Sequence, residues 1–353
     1  MKKNQYLVLG IMSGTSLDGI DIALCSFEAS PDWKYNIIHA ETIAYPKEWK
    51  KRLSEAVFFD KDRLAELNRD YTGFLAKIIS DYLERQKPSD LDAICSHGHT
   101  IRHEPGNGYT LQIGNLPQLA QLTGYKVICD FRVQDVELGG QGAPLVPIGD
   151  QLLFSKYQAC LNLGGFANIS LGRDDNRLAF DICAVNTVLN YLAGIMGLEY
   201  DKGGLIAESG ELDKNLLKKL DQLEFYRREP PKSLGIEWVN EKILPLFEGA
   251  EDIPALLHTY SVHAAGQIVK ILEEQSISKV LVTGGGSFNK FLIEKIRKSS
   301  TAVVVIPAPE VINYKEALIF GLLGVLRLRG EINVLSSVTG AVRDHSSGEI
   351  FFP

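Results

Sequence analysis

A short stretch near the start of the chain, Gly10-Ile11-Met12-Ser13-Gly14-Thr15-Ser16-Leu17-Asp18-Gly19-Ile20-Asp21, gathers glycines, hydroxyls and two carboxylates. Loop N–H groups left bare by glycine cradle phosphate oxygens, and adjacent carboxylates hold the magnesium that offsets phosphate charge. The chemistry indicated is phosphate binding at a hairpin, with Asp18 and Asp21 beside the metal. No Gly-Lys-Ser/Thr follows and no helix opens after the glycines, so the P-loop and dinucleotide patterns are both absent. An ordinary two-glycine hairpin turn, with Asp18 or Asp21 as a solvated turn residue, fits the same residues.

Three other stretches carry chemistry. Leu91–Ser96 reads as a buried strand delivering His97-Gly98-His99-Thr100 at its carboxyl end, where open α/β sheets place ligands. With His103, the His-x-His pair could begin a zinc site, but His258, His263 and His345 supply no well-spaced partners. A polar, glycine-rich bridge, Asp130-Phe131-Arg132-Val133 and then Gly139-Gly140-Gln141-Gly142-Ala143-Pro144, is the candidate domain junction. Finally, the apolar Lys279–Thr283 runs into Gly284-Gly285-Gly286-Ser287, a backbone shelf on which a flat nucleotide base could lie.

The elements that position these groups follow from periodicity. Tyr6–Leu9 and Ile20–Leu24 read as strands flanking the first loop, and Tyr35–Tyr45 as a third. A helical stripe of Leu64, Leu67, Tyr71, Phe74, Leu75, Ile78 and Tyr82 follows. Tyr109–Ile113 and Tyr125–Cys129 are strands around a short helix, Leu116–Leu122. The opening pattern then recurs: strand Ala159–Leu163, turn Gly164-Gly165-Phe166-Ala167, strand Asn168–Leu171, and a short strand Leu178–Phe180 ending at Asp181. A helix from Asn186 to Met196 comes next, and the repeat of a glycine hairpin predicts internal duplication. Helical patterns span Ile236–Phe247 and Ile253–Glu274, and Ala302–Ile306 is a strand. Lys315–Gly324 is an apolar helix whose two glycines, Gly321 and Gly324, suit close packing on another helix.

Composition narrows the class. The 353 residues are 45% hydrophobic and 23% charged, long enough for two domains. A formal net charge of -7, from 37 basic and 44 acidic residues without long runs, disfavours nucleic-acid and anionic-membrane partners. The scattered Cys25, Cys95, Cys129, Cys160 and Cys183 form no C-x-x-C pair and read as buried free thiols of a reducing compartment. Lys2 and Lys3 precede an apolar stretch that Gly10 and Ser13 interrupt, with no cleavage site, and no apolar run reaches a membrane span. A cytoplasmic protein is expected.

The ordered motifs resemble the actin, hexokinase and Hsp70 superfamily and, within it, the 1,6-anhydro-N-acetylmuramic acid kinases. The matching stretches are Gly10–Asp21, Ser96–Thr100 with His103, Leu111–Gly114, Asp130–Asp135 and Gly139–Pro147. Leu161–Ser170, Asp201–Gly210, Pro230–Gly235 and Thr283–Gly286 match as well, so the resemblance runs through most of the chain. It implies an α/β fold of two duplicated actin-like (ribonuclease H-like) domains with a nucleotide cleft between them. The expected division is 1–131 and 132–335, with 336–353 free to pack back on the first domain.

The resemblance also implies a reaction. Water opens the 1,6-anhydro bridge at the anomeric carbon, and the freed 6-oxygen takes the γ-phosphoryl of ATP, giving N-acetylmuramic acid 6-phosphate for cell-wall recycling. Asp181 matches the catalytic base, the alternative being an N-cap for the following helix. Gly14, Thr15, Ser16, Leu17, Asp18, Gly19, Ile20 and Asp21, with Gly164, Gly165, Thr283, Gly284, Gly285 and Gly286, match the ATP site, Asp18 and Asp21 facing Mg²⁺. His97, His99, Thr100, Arg132 and Gln141 fall to the sugar. Arg132 would grip its lactyl carboxylate, unless it forms only a surface ion pair. The implied partner is a small sugar, with neither nucleic acid nor membrane, and a homodimer is left open. One departure stands out: relatives follow the aspartate with Thr-Gly-Pro-Gly-Asn, where this chain has Ile182-Cys183-Ala184-Val185-Asn186.

Overall fold

A computed structural model of the chain describes residues 3–30, 32–172 and 176–353. Lys2, of the basic pair at the start, lies outside the described residues. The chain packs as two compact units, Met1–Leu153 with Tyr314–Pro353, and Phe154–Asn313. The glycine-rich bridge read as a junction at 131/132 lies inside the first unit, as do residues 336–353.

In the first unit, β1 (Gln5–Ser13), β2 (Gly19–Glu28) and β3 (Lys34–Ala44) form an antiparallel meander. The helix Lys61–Gln86 carries the chain across the sheet to β4 (Ala93–Glu104), which lies parallel to β1. Asp60 starts that helix by accepting the Arg63 amide at 2.9 Å. Its stripe of Leu64, Leu67, Tyr71, Leu75, Ile79 and Tyr82 is buried against Leu9, Ile11, Ile20, Ile22 and Ile94. Each such side chain contributes about 1.5–3 kcal/mol. β5 (Tyr109–Ile113) pairs antiparallel with the end of β4, and β6 (Val127–Cys129) runs parallel to β4 and is flanked by the terminal strand Glu349–Phe351.

In the second unit, β7 (Ala159–Leu163), β8 (Phe166–Leu171) and β9 (Leu178–Ala184) form another antiparallel meander. β10 (Lys279–Thr283) is parallel to β7, and β11 (Val303–Val305) is parallel to β10. The core orders are therefore β3-β2-β1-β4-β6 and β9-β8-β7-β10-β11, with the same strand directions in the same places. The duplication inferred from two glycine hairpins is real at the level of topology.

Several elements depart from the sequence reading. β4 runs on to Glu104 because β5 pairs with its second half, so His97-Gly98-His99-Thr100 lies within the strand and not at its end. The register slips between Ile11↔Ser96 and Ser13↔His99, a bulge that Gly98 accommodates at φ +75°. β9 continues to Ala184 because Ala167 and Phe166 pair with Cys183 and Ala184, which places Asp181 in mid-strand. The Ile236–Phe247 pattern is broken into a short α-turn, a π-turn and a 3-10 turn, with Pro245 in the last. Gly284-Gly285-Gly286 opens a 3-10 turn, and Asn289 caps the helix Lys290–Ser299 beyond it. The helix Pro309–Arg329 uses its glycines against a sheet, not against another helix. Gly321 lies on Val8 and Phe27, and a Cβ at Gly324 would fall 2.2 Å from the Cys95 sulfur.

All five cysteines are free and buried. Among the described residues, no helix is long and apolar enough to cross a membrane.

Candidate active site

The first hairpin joins β1 to β2 through Gly14–Asp18. Leu17, at φ +60°, donates its amide to the Gly14 carbonyl at 3.3 Å and tightens the loop. The amides of Thr15, Ser16 and Asp18 donate to no acceptor among the described residues, and these three residues are exposed. That is the disposition an anion-binding loop requires. Asp18 is exposed at the loop's end, while Asp21 is half-buried on β2 and accepts the Thr42 hydroxyl at 2.6 Å. Burial, and then the neighbouring Asp18 charge, raise the Asp21 carboxyl above its usual range. Two neighbouring carboxylates form a donor set whose charge a hard cation relieves, and Mg²⁺ needs only one or two of them.

Around this hairpin the first unit builds a polar cluster. Ser13 Oγ bonds the Tyr45 hydroxyl at 2.6 Å and His99 Nδ1 at 2.8 Å, and Tyr45 continues to Tyr71 at 2.5 Å. Burial holds His99 at about 4, so its ring is neutral and carries one N–H. Its Nε2 has no hydrogen bond among the described residues and stays available. His97 is different. Its Nδ1 faces the Gly98 carbonyl at 2.9 Å, and its Nε2 accepts the Arg132 Nε–H at 2.8 Å. Burial and the Arg132 charge push the ring's pKa far down, fixing a neutral tautomer with the proton on Nδ1. Both nitrogens are thereby spent, so His97 holds Arg132 and has no donor left for a sugar oxygen.

Arg132 also donates through Nη1 to the Gly142 carbonyl at 2.6 Å. Burial lowers it to about 10, opposed by Glu316 and Asp135, and it remains cationic. It is half-buried and braced on two sides, so the surface ion pair does not describe it. Gly142 is held by the fully buried Asp135, whose carboxylate accepts the Gly142 amide at 2.6 Å and the Thr339 hydroxyl at 2.7 Å. Gln141 is exposed beside this anchor, and its backbone N–H donates to the Thr339 carbonyl at 2.8 Å. Thr100 accepts from Gln112 at 3.4 Å, and His103 bonds Thr110 at 3.0 Å. The three histidines of the zinc alternative are thus engaged separately, and no metal-holding group of three appears among the described residues.

The second unit holds the other half of the candidates. Gly164 and Gly165 form the tight turn of the second hairpin, and their carbonyls accept the amides of Val185, Asn186 and Thr187. This ties the start of the helix Asn186–Ile195 to the hairpin. Asn186 reaches back to the Leu163 carbonyl at 3.3 Å, and Leu163 lies against the buried Gly286. Beside Gly285 and Gly286 opens a cavity of about 680 Å³ lined by Leu189, Tyr200, Lys202, Leu205, Phe288 and Phe291. Asn186, Asn190, Asp201, Glu208, Asn289, Lys290 and Glu294 also line it, and aromatic walls combined with polar groups suit a nucleoside. Thr283 is buried at the end of β10, just before Gly284.

Asp181 points from β9 with one carboxylate oxygen committed: Oδ2 accepts the Leu234 amide at 2.8 Å. Oδ1 has no hydrogen bond among the described residues. Burial raises the carboxyl and the Leu234 bond opposes that shift. Asp181 does not cap the following helix, whose N-cap is Val185 with no side-chain bond.

Three participants received no role from sequence. Ser13 and Leu234, members of the Gly10–Asp21 and Pro230–Gly235 stretches, act through the bonds above. Glu316 is exposed yet crowded by protein, which raises its carboxyl against the pull of Arg132 and Lys315, with Asp21 adding to the rise. A Lys315-Glu316 pair heading an otherwise apolar helix was the available signal.

Duplicated 3-2-1-4-5 sheets, each opening on a glycine hairpin, define the ribonuclease H-like fold of actin-type ATPases. The family model for anhydro-N-acetylmuramic acid kinase matches residues 6–353. Relatives bearing that name include one from Pseudomonas savastanoi pv. phaseolicola, 35% identical over 98% of this chain and 99% of that protein. Another, from Caldanaerobacter subterraneus subsp. tengcongensis, is 32% identical over 99% and 97%. Among solved structures, component A of the Acidaminococcus fermentans (R)-2-hydroxyglutaryl-CoA dehydratase gives a TM-score of 0.49 at 13% identity, covering 90% of this chain and 96% of that one. The chain belongs to the anhydro-N-acetylmuramic acid kinase family.

Proposed function

We propose that this protein is an ATP-dependent kinase that hydrolytically opens 1,6-anhydro-N-acetylmuramic acid and phosphorylates it at O6. The observation that carries this is Asp181: a half-buried carboxylate, one oxygen fixed by a backbone amide and the other free. Such a group suits proton abstraction from water, since burial brings its pKa toward the working pH. Water oxygen bonds to the anomeric carbon as its proton passes to Asp181 Oδ1 and the C1–O6 bond breaks. O6 then takes the γ-phosphoryl, ADP leaves, and Asp181 returns its proton to solvent.

The remaining residues bind and orient. The free amides of Thr15, Ser16 and Asp18 suit the phosphates. Asp18 and Asp21 would hold Mg²⁺, which when bound offsets the charge on the transferred group. The cavity beside Gly285 and Gly286 suits the nucleoside. Arg132, pre-set by His97 and Gly142, presents its remaining guanidinium edge to the lactyl carboxylate, and His99 offers Nε2 as an acceptor for a sugar hydroxyl. Glu316, coupled to both Arg132 and Asp21, belongs to the same polar cluster. The work of such an enzyme is cytoplasmic recycling of cell-wall sugar.

The test is ADP formation by the purified protein with ATP, Mg²⁺ and a panel of sugars. ADP should form with the anhydro sugar and not with glucose, N-acetylglucosamine or open-ring N-acetylmuramic acid. Turnover with one of those sugars, or none with the anhydro sugar, would refute the assignment.

A further inference from the structure

β9 is an edge strand, so at Asp181 its outer side would expose an unpaired backbone. It is covered by the segment Lys232–Leu234, which belongs to no strand. The Asp181 amide donates to the Lys232 carbonyl at 2.9 Å, and two residues on the Leu234 amide donates back at 2.8 Å. In a parallel ladder with this spacing the second bond would reach the main-chain carbonyl of Asp181. Here it is diverted to the side-chain oxygen Oδ2. The segment is itself tied down: Lys232 Nζ donates to the carbonyls of Arg228 at 2.9 Å and Phe225 at 3.4 Å, and lies 4.9 Å from the centre of the Phe225 ring.

We infer that Lys232–Leu234 is a built clamp that orients the Asp181 carboxylate, with Lys232 and Leu234 as positioning residues for the hydrolytic step. This rests on Asp181 being the base. The clamp fixes Oδ2 and thereby turns Oδ1 toward the water. The Lys232 ammonium is folded onto carbonyls, so its part is to brace the segment and not to neutralise Asp181. Charged or titratable groups packed around the clamp are Cys183 on β9, Tyr226 on the preceding 3-10 turn, Glu229, and Lys270 and Glu274 on the helix Ile253–Glu274. Asn168, opposite Asp181 on β8, is neutral.

The clamp predicts a change in pH profile, not merely in amplitude. A donated N–H favours the ionised carboxylate, so losing it raises the carboxyl's pKa. Replacing Leu234 by its α-hydroxy acid turns that peptide N–H into an ester oxygen and leaves the side chain intact. In this variant the acidic limb of kcat against pH should move up by about one unit, with KM for ATP unchanged. Lys232→Met, which frees the brace, should move the limb the same way, whereas Lys232→Arg and Leu234→Ala should retain the wild-type profile. If the ester form does not fold, Lys232→Met carries the test. An acidic limb that stays in place in these variants, with only kcat reduced, would overturn the clamp. A wild-type limb that persists in Asp181→Asn would instead overturn the identity of the base, independently of the ester result.

Discussion

An Asp181→Asn variant is expected to lose sugar-dependent ADP formation by about 10²–10⁴-fold while still binding ATP. The asparagine side chain has nearly the same shape, and its carbonyl oxygen can still accept the Leu234 amide, so β9 and its covering segment should persist. What disappears is the carboxylate to which the proposed mechanism passes the proton of water. The cavity beside Gly285 and Gly286 does not include Asp181 among its lining residues, which is why nucleotide affinity should survive. Single-turnover kinetics alongside a nucleotide titration separates the two effects. Full activity in this variant would place the base elsewhere.

The largest effect on stability is expected at Lys315. Its ammonium lies 2.7 Å from an Asp150 carboxylate oxygen, and both side chains are less than a tenth exposed. A pair so placed adds little net stability relative to apolar residues, but removing one partner strands the other charge in the protein. Lys315→Met should therefore destabilise the first unit by about 3–5 kcal/mol. The double variant Lys315→Met/Asp150→Leu should recover most of that loss. Chemical denaturation of both variants decides it, and a single variant within about 1 kcal/mol of wild type would show that the pair is solvated in solution.

Where the sequence could be read and where it could not follows from how far each signal reaches. Tyr109–Ile113, Ala159–Leu163, Lys279–Thr283 and the helix Ile253–Glu274 fall where their apolar patterns place them, because periodicity and flanking turn residues are local. The hairpin loop was legible for the same reason: its glycines, hydroxyls and carboxylates are consecutive. The carboxyl end of β4 was not, since its length is set by β5 pairing with it. Asp181 lies in mid-strand and not at a strand end because the apolar Ile182, Cys183 and Ala184 extend β9 beyond it. Tyr260 secures that course by donating to the Ala184 carbonyl at 3.0 Å. The glycines of the helix Pro309–Arg329 announced a close approach without saying to what. His97 looked like a ligand by its spacing, yet its partner is Arg132, 35 residues away in sequence. A residue whose role is made by tertiary neighbours leaves no local trace, and Leu234 is of that kind.

Hydrolysis of the anhydro bond and phosphorylation of O6 in one enzyme, with Asp181 activating the water, are tested most directly by running the reaction with ATP, Mg²⁺ and 1,6-anhydro-N-acetylmuramic acid in ¹⁸O-enriched water and weighing the product. A sugar 6-phosphate carrying one ¹⁸O at the anomeric carbon, with none in the phosphate, is the predicted result. A phosphorylated product that retains the anhydro bridge, or ¹⁸O appearing in free phosphate without a sugar phosphate, would contradict it.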